Sequence, residues 1–350
     1  MQAAVWDKSA YPLTLRLVCS IILATTVAWA PVIPTSATIL ITTTVGRSPQ
    51  RMPTLSLTSQ RTVVELTKWN TEGVDLSNKA GKPVIMSEFS TVSCGGFPTV
   101  SDTFGATLWS VDYAVQMAVV GYSAAYLHTR ERNTSYNLFD YPGDDVDGWT
   151  TKPTYYSYFP ILQAFQSHNG SRVVDLGLSE NSTAGYGIYD KQTSELYRMI
   201  LINFQDGNGT VDFVIPSGGP RAGGGKNATV KFLTAPSVRE GSNISWSGKT
   251  WKGVKDGNPV DSGRDKDLTH VDISGSYTLK IPSPGLAVVM FEKALPRGEP
   301  SGGGHANNSP SSGNGTGTNG RGDGGGSALS AIVPIITTLG TVLVGALVLA

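Results

Sequence analysis

The spacing of apolar and polar positions divides the chain into regions of different period. Between residues 63 and 165 helical and strand-like patterns alternate. "VVELTKWN" is a short amphipathic segment. In "GKPVIMSEF", Gly81-Lys82-Pro83 punctuates the start and Val84-Ile85-Met86 is too short a run for a helix, so the pattern predicts a buried strand. Asp102 can cap a helix, and Phe104, Leu108, Val111, Val115 and Ala118 then recur at intervals of four and three, one face of a helix ending near Gly121. "YSAAYLHT" is a second strand-like run, followed directly by the polar "RERNTS". The order is strand, helix, strand, with polar side chains gathered at the strand ends.

After "YYSYFPILQAFQSHNG" the period shortens. Residues 171–293 hold "GYGIYD", "LYRMILINF", "TVDFVIP", "ATVKFLTAP", "GSYTLKIP" and "LAVVMFEK", separated by Gly, Asn, Asp and Pro. Short runs divided by turn residues predict an antiparallel β-sandwich or barrel-like domain.

The two ends follow other rules. Residues 301–327 contain almost no apolar side chain to offset the entropy of ordering and cannot form a core. From Ala328 to Ala350 there is no charge at all, and no basic residue follows. A hydrophobic tail behind small residues and a polar stalk is the pattern of a glycolipid-anchor signal, cut near Gly322–Ser327; a retained C-terminal membrane helix is the alternative. At the other end, Arg16 precedes an apolar run that finishes in Ala28-Trp29-Ala30, as in a signal peptide, yet Asp7 and the second apolar patch "SATILITTT" do not fit one. The organisation expected is a signal or poorly specified segment over 1–60, an α/β region over 61–168, a β-sandwich over 169–294, a stalk over 295–327 and the tail over 328–350.

Composition adds limits. The 350 residues carry 27 basic and 27 acidic side chains, so no net charge draws the chain to nucleic acid or anionic lipid. The two cysteines, Cys19 and Cys94, make no disulfide framework. N-x-S/T sequons at Asn133, Asn169, Asn181, Asn208, Asn227, Asn243, Asn307 and Asn314 suit a chain that passes through a secretory pathway to the cell surface. His168 and His270 have no zinc-like spacing, and there is no P-loop or dinucleotide fingerprint, so neither metal nor cofactor is expected.

In α/β proteins the residues at the C-terminal ends of strands build the ligand site. Glu88 at the end of the first strand, and His128, Arg130 and Glu131 at the end of the second, would share one rim; an ordinary exposed loop carboxylate is the plainer alternative for Glu88.

"GKPVIMSEFSTVSCGG", "FGATLWSVDYAVQMAVVGYSAAYLHTRE" and "TYYSYFPILQAF", in that order, resemble the β-glucuronidase and heparanase-like glycoside hydrolases, fungal members especially. The resemblance extends over about residues 60–293. It implies an α+β chain: the last strands of a (β/α)8 barrel, then a β-sandwich, acting on a β-linked uronic-acid glycan or glycoside with retention of configuration. It makes Glu88 the nucleophile at the end of the seventh strand, and offers Tyr126, His128 and Arg130 as sugar-binding residues.

A retaining mechanism also needs a second carboxyl group about 5–5.5 Å from the first. Upstream of Glu88 stand only Asp7, Glu65, Glu72 and Asp75, none in the Asn-Glu context the resemblance calls for, and Glu131 is on the wrong strand. A full barrel takes about 250 residues. The sequence is therefore expected to hold the C-terminal part of such an enzyme, without a closed barrel or an acid/base. A non-catalytic, glycan-binding β-sandwich module is the alternative.

Overall fold

The computed structural model describes residues 39–42, 60–68, 70–92, 95–143, 148–167, 170–178, 180–215, 226–264, 266–292 and 345–348. The leader, the stalk and most of the apolar tail, with Cys19 and Cys94, lie outside the described residues. All described residues fall in one compact unit.

The first part contains β1 (Ile39–Thr42), α1 (Gln60–Lys68), α2 (Thr71–Lys79), β2 (Val84–Phe89), α3 (Phe104–Val119), β3 (Ala124–Leu127), the short strands β4 (Phe139–Asp140) and β5 (Thr150–Thr151), a 3-10 turn at Pro153–Ser157 and α4 (Tyr158–Ala164). The second consists of β6 (Ser171–Asp175), β7 (Thr183–Asp190), β8 (Leu196–Asn203), β9 (Thr210–Ile215), β10 (Asn227–Thr234), β11 (Ser245–Trp246), β12 (Lys249–Thr250), β13 (Val260–Asp261), β14 (Leu268–Asp272), β15 (Tyr277–Pro282) and β16 (Gly285–Phe291). Four residues of the apolar tail, Gly345–Val348, form β17.

β2 and β3 are parallel, as the strand-helix-strand pattern requires, with β1 parallel to β2 and β17 antiparallel to β3 at the edges. This sheet is not a closed barrel. The second part is a nine-stranded antiparallel sheet in the order β13-β12-β11-β10-β16-β8-β7-β6, with β14 also on β10. The expected second sheet of the sandwich is only the ribbon β9–β15.

The inner strands of the large sheet are apolar on both faces. Along β8, Met199 and Leu201 pack with Phe213 and Ile281 of the ribbon, while Ile200 and Ile202 belong to the core that contains α3. β16 repeats this, with Ala287 and Val289 on the ribbon side and Leu286 and Val288 on the helix side. A period of two with both phases apolar is what burial of both faces demands.

The helix α3 is the layer between the two sheets. Its sequence pattern predicts one apolar face, but every residue from Phe104 to Met117 is buried. Phe89 of β2 packs on Trp109 and Tyr113, whose rings stack at 4.8 Å. Its N-cap is Thr103, which accepts from the Ala106 N–H, and not Asp102 one residue earlier. The free N–H groups of its first turn reach the second part of the chain: Phe104 donates to the Glu240 carbonyl and Gly105 to that of Val238, both at 2.7 Å. A Cβ at Gly105 would lie 3.2 Å from the Val238 oxygen, which explains a glycine in a helix. Tyr156 adds a second tie, its hydroxyl accepting from the Trp251 N–H at 2.7 Å beside the stacked pair Phe159–Trp251.

One carboxyl group sits in this seam. Asp112 is fully buried, and its Oδ1 accepts from the Tyr186 hydroxyl at 2.5 Å. Burial pushes its pKa up to about 7, against the partial relief of that hydrogen bond and with Asp175 adding repulsion. Its Oδ2 has no partner, nor has Gln116 Oε1 one turn along the helix. A proton retained on Asp112 suits both oxygens.

Because the folded pKa lies above the unfolded value near 3.8, the native state holds the extra proton. The resulting stability is complete below that value and is lost as pH rises through about 7, at up to about 1.4 kcal/mol per pH unit. Asp112→Asn should therefore gain stability relative to wild type between pH 5 and pH 8 in chemical denaturation. Tyr186→Phe should lose about 1–3 kcal/mol, more at pH 8 than at pH 5. Differences from wild type that do not change with pH would contradict the buried-acid assignment.

Candidate active site

Glu88 owes its direction to an irregularity in β2. Val84 and Met86 are buried and Ile85 and Ser87 half-buried, so strict alternation would turn Glu88 toward the helices and Phe89 away from them. The pairing slips instead. Along β1 the partners step from Met86 to Glu88, and along β3 from Met86 to Phe89 while the partner strand advances only from Ala125 to Leu127. One extra residue at Ser87 makes a bulge. Phe89 is thereby returned to α3, and Glu88 to the half-buried face with its side chain 37% exposed. Glu88 thus lies in the last rung of β2, at the end of the strand.

On β3, Ala125 and Leu127 are buried while Tyr126 and His128 share the other face. The His128 N–H continues the ladder to the Phe89 carbonyl at 2.8 Å. Its Nδ1 lies 3.6 Å from Glu88 Oε1, beyond hydrogen-bond length. Burial lowers the His128 pKa, Arg130 adds to the effect, and Glu88 and Glu131 oppose it, so the ring is neutral at pH 7. Tyr126 shares the face of His128 but makes no hydrogen bond or ring contact with the other predicted residues.

Arg130 follows at the rim, with Nε 3.1 Å from Glu131 Oε2; both side chains are open to solvent, Arg130 43% and Glu131 65% exposed. Glu88 thus lies beside His128, and Arg130 beside Glu131, on adjacent strand ends. Sequence reasoning missed Tyr136. Its buried ring packs against His128 at 5.4 Å, and burial raises the pKa of its hydroxyl, with the nearby Arg130 charge opposing the rise. A Cβ on Gly96 would come within 3.0 Å of that ring and 2.9 Å of Ser101, so the second glycine of the "GG" after β2 makes room for Tyr136. A lone aromatic in the polar stretch "NTSYN" was the signal available.

The upstream carboxylates do not join the site as strand residues. Glu65 lies on α1, Glu72 and Asp75 on α2, and all three are exposed; Asp7 is outside the described residues. Among the described residues no group of His, Cys, Asp and Glu could hold a metal ion, and no helix is long and apolar enough to cross a membrane. Of the sequon asparagines, Asn133, Asn181, Asn208 and Asn243 are exposed, and Asn227 is half-buried at the start of β10. Asn169, Asn307 and Asn314 lie outside the described residues.

Comparison with known proteins bears on this arrangement. Residues 185–288 match the glycosyl hydrolase family 79 C-terminal beta domain. A beta-glucuronidase of Aspergillus niger is 28% identical over 132 residues, 37% of this chain and 24% of its own length. A beta-glucuronidase of Neurospora crassa is 27% identical over 214 residues, 51% of this chain and 37% of its own. Among solved structures, a 4-O-alpha-L-rhamnosyl-beta-D-glucuronidase from Fusarium oxysporum 12S superimposes with a TM-score of 0.57 at 19% identity, over 69% of this chain and 50% of that one. The matches thus span half or less of each relative. The fold is similar to that of the fungal β-glucuronidases, and residues 185–288 match the C-terminal beta domain of glycosyl hydrolase family 79.

Proposed function

We propose that Glu88 is the nucleophile of a β-glucuronidase-type retaining glycosidase site acting on β-linked uronides. The observation that carries this is the bulge at Ser87, which aims a carboxylate out of a buried strand at a rim shared with His128, Arg130 and Tyr136. A Glu88 oxygen attacks the anomeric carbon from the face opposite the leaving group. The glycosidic C–O bond breaks toward the departing oxygen, and water later displaces Glu88. Neutral His128 leaves the carboxylate free of an ion pair at pH 7. Arg130 offers the positive charge for the sugar carboxylate, which would take the place of Glu131.

Protonation of the leaving group is not supplied by Glu65, Glu72 or Asp75 on their helices, nor by solvent-exposed Glu131 tied to Arg130. General acid catalysis is typically worth about 10²- to 10⁴-fold, so substrates with poor leaving groups should be nearly inert. That gap favours a second reading, a glycan-binding surface without turnover. We also assign the chain to the secretory pathway and a lipid-anchored place at the cell surface, on the exposed sequons and the uncharged tail.

A 2-fluoro glucuronide with an activated leaving group should label Glu88, read by peptide mass spectrometry, and Glu88→Gln should take no label. A folded chain that stays unlabelled would leave only the binding surface; rapid hydrolysis of unactivated β-glucuronides would show that a dismissed carboxylate serves as the acid. For the anchor, a phosphatidylinositol-specific phospholipase should release the protein from membranes of expressing cells. A mature mass that still includes residues 330–350 would refute it.

A further inference from the structure

We propose that Tyr141 and Trp149 form an aromatic platform that binds a neutral, β-linked sugar ring of a glycan, a site whose evidence does not involve Glu88. Among the described residues the exposed Phe, Tyr and Trp side chains are Phe97, Tyr141 and Trp149. All three follow the parallel strands at the end where Glu88 and His128 stand, Phe97 after β2 and the other two after β3. The exposed large aliphatic side chains lie elsewhere, on α2, α4, β9, β13 and β14 and at Leu176.

The pairing of β4 with β5 places the two rings together. Phe139 is opposite Thr151 and Asp140 opposite Thr150, so the same register continued by one residue sets Tyr141 opposite Trp149. Residues two apart on a strand share a face, so Phe139, Tyr141 and Trp149 stand on one side of the ribbon and Asp140 on the other. The ring contact of Phe139 with Trp149, at 6.4 Å and 89°, is the diagonal pair that this register requires. Phe139 leans in turn on Tyr155 at 4.7 Å, and Tyr155 on Phe159 at 5.1 Å, beside Trp251. Trp149 is thus braced from below yet 54% exposed, and Tyr141 is 51% exposed. Among the described residues no ring stacks on either.

The opposite face fixes the ribbon. Asp140 is buried; its Oδ2 pairs with Lys152 at 3.1 Å, and its Oδ1 accepts from the Asn133 N–H at 3.2 Å and from Asn137 Nδ2 at 3.0 Å. Asn137, itself buried, also accepts from the Arg130 N–H at 2.8 Å and donates to the Glu131 carbonyl at 2.9 Å. The Lys152 N–H closes the ribbon on the Leu138 carbonyl at 2.9 Å. The rings therefore ride on a backbone that is ordered before any ligand arrives, and binding does not carry the cost of ordering it.

The chemistry of the pair selects the ligand. An aromatic ring is electron-rich on its face. The axial C–H groups of a β-linked pyranose make a flat, weakly positive surface that fits over an indole, while the indole N–H and the phenol hydroxyl can bond the sugar hydroxyls. A protein partner would need the broad apolar surround that this ribbon lacks.

The test titrates the full chain by NMR with cellotetraose, a flat β-linked chain, and with its curved α-linked isomer maltotetraose. Wild type should bind cellotetraose the more tightly. Trp149→Ala should weaken cellotetraose binding about tenfold, and Tyr141→Ala about threefold. Tyr141→Ala leaves the brace on Phe139 intact and serves if the first variant does not fold. Leu76→Ala, an exposed apolar residue on α2, should leave the affinity as it is. Unchanged affinity in both ring variants, or an equal loss in Leu76→Ala, overturns the proposal. So does a wild type that fails to bind cellotetraose or binds both tetraoses equally. A dimer in sedimentation that Trp149→Ala dissociates would give the rings to a second copy of the chain and overturn it as well. The covalent labelling of Glu88 is a separate readout, so the platform and the nucleophile can each fail alone.

Discussion

Burial of α3 on every side is the constraint on which the remainder of the structure depends. A helix with no solvent face needs a layer on each flank, and the two layers come from different parts of the chain: β2 and β3 on one side, the large antiparallel sheet on the other. Its polar groups must then find partners inside the protein. Thr107 donates to the Pro153 carbonyl at 2.8 Å, Ser110 to Ala106 one turn back, and the first-turn N–H groups to carbonyls at residues 238 and 240. Asp112 is the exception in kind, an acid that burial keeps protonated until the pH nears about 7 and that is held by Tyr186. The same requirement explains the composition of β8 and β16, which face α3 with one set of apolar residues and the ribbon with the other.

Much of this was legible in the sequence. Runs such as "VIMSEF" and "LYRMILINF", and the intervals of four and three from Phe104 onward, located β2, β8 and α3 because periodicity reports local geometry directly. How many faces an element buries is a property of its neighbours, and there the pattern fell short. The five apolar positions of α3 suggested one face, although Trp109, Tyr113 and Met117 lay between them. The second layer of the expected sandwich is two strands because α3 covers the opposite face of the large sheet. Thr103 and Asp102 are both capping residues, and only the backbone direction at the helix start separates them.

The site shows the same division. The chemistry-bearing residues Glu88, His128 and Arg130 stood at strand ends and could be named from spacing. The bulge that turns Glu88 outward could not, since it is a mismatch of register between strands and leaves no mark on the spacing within one. Tyr136 and Asn137 lie in a polar loop without periodicity. Their roles depend on which way each side chain leaves the backbone, one against His128 and the other into the buried amide cluster.

If α3 binds the two layers into one core, the strands that carry the site share the stability of the β domain. They cannot then open on their own to any large extent. Native-state hydrogen exchange followed by mass spectrometry measures this directly, because each segment reports the free energy of the opening that exposes it. Peptides covering Phe104–Val119 should exchange with the same protection as those covering Leu196–Asn203 and Gly285–Phe291, and should lose it together as denaturant rises. Loss of protection in α3 and Val84–Phe89 while the antiparallel strands stay protected would contradict a common core.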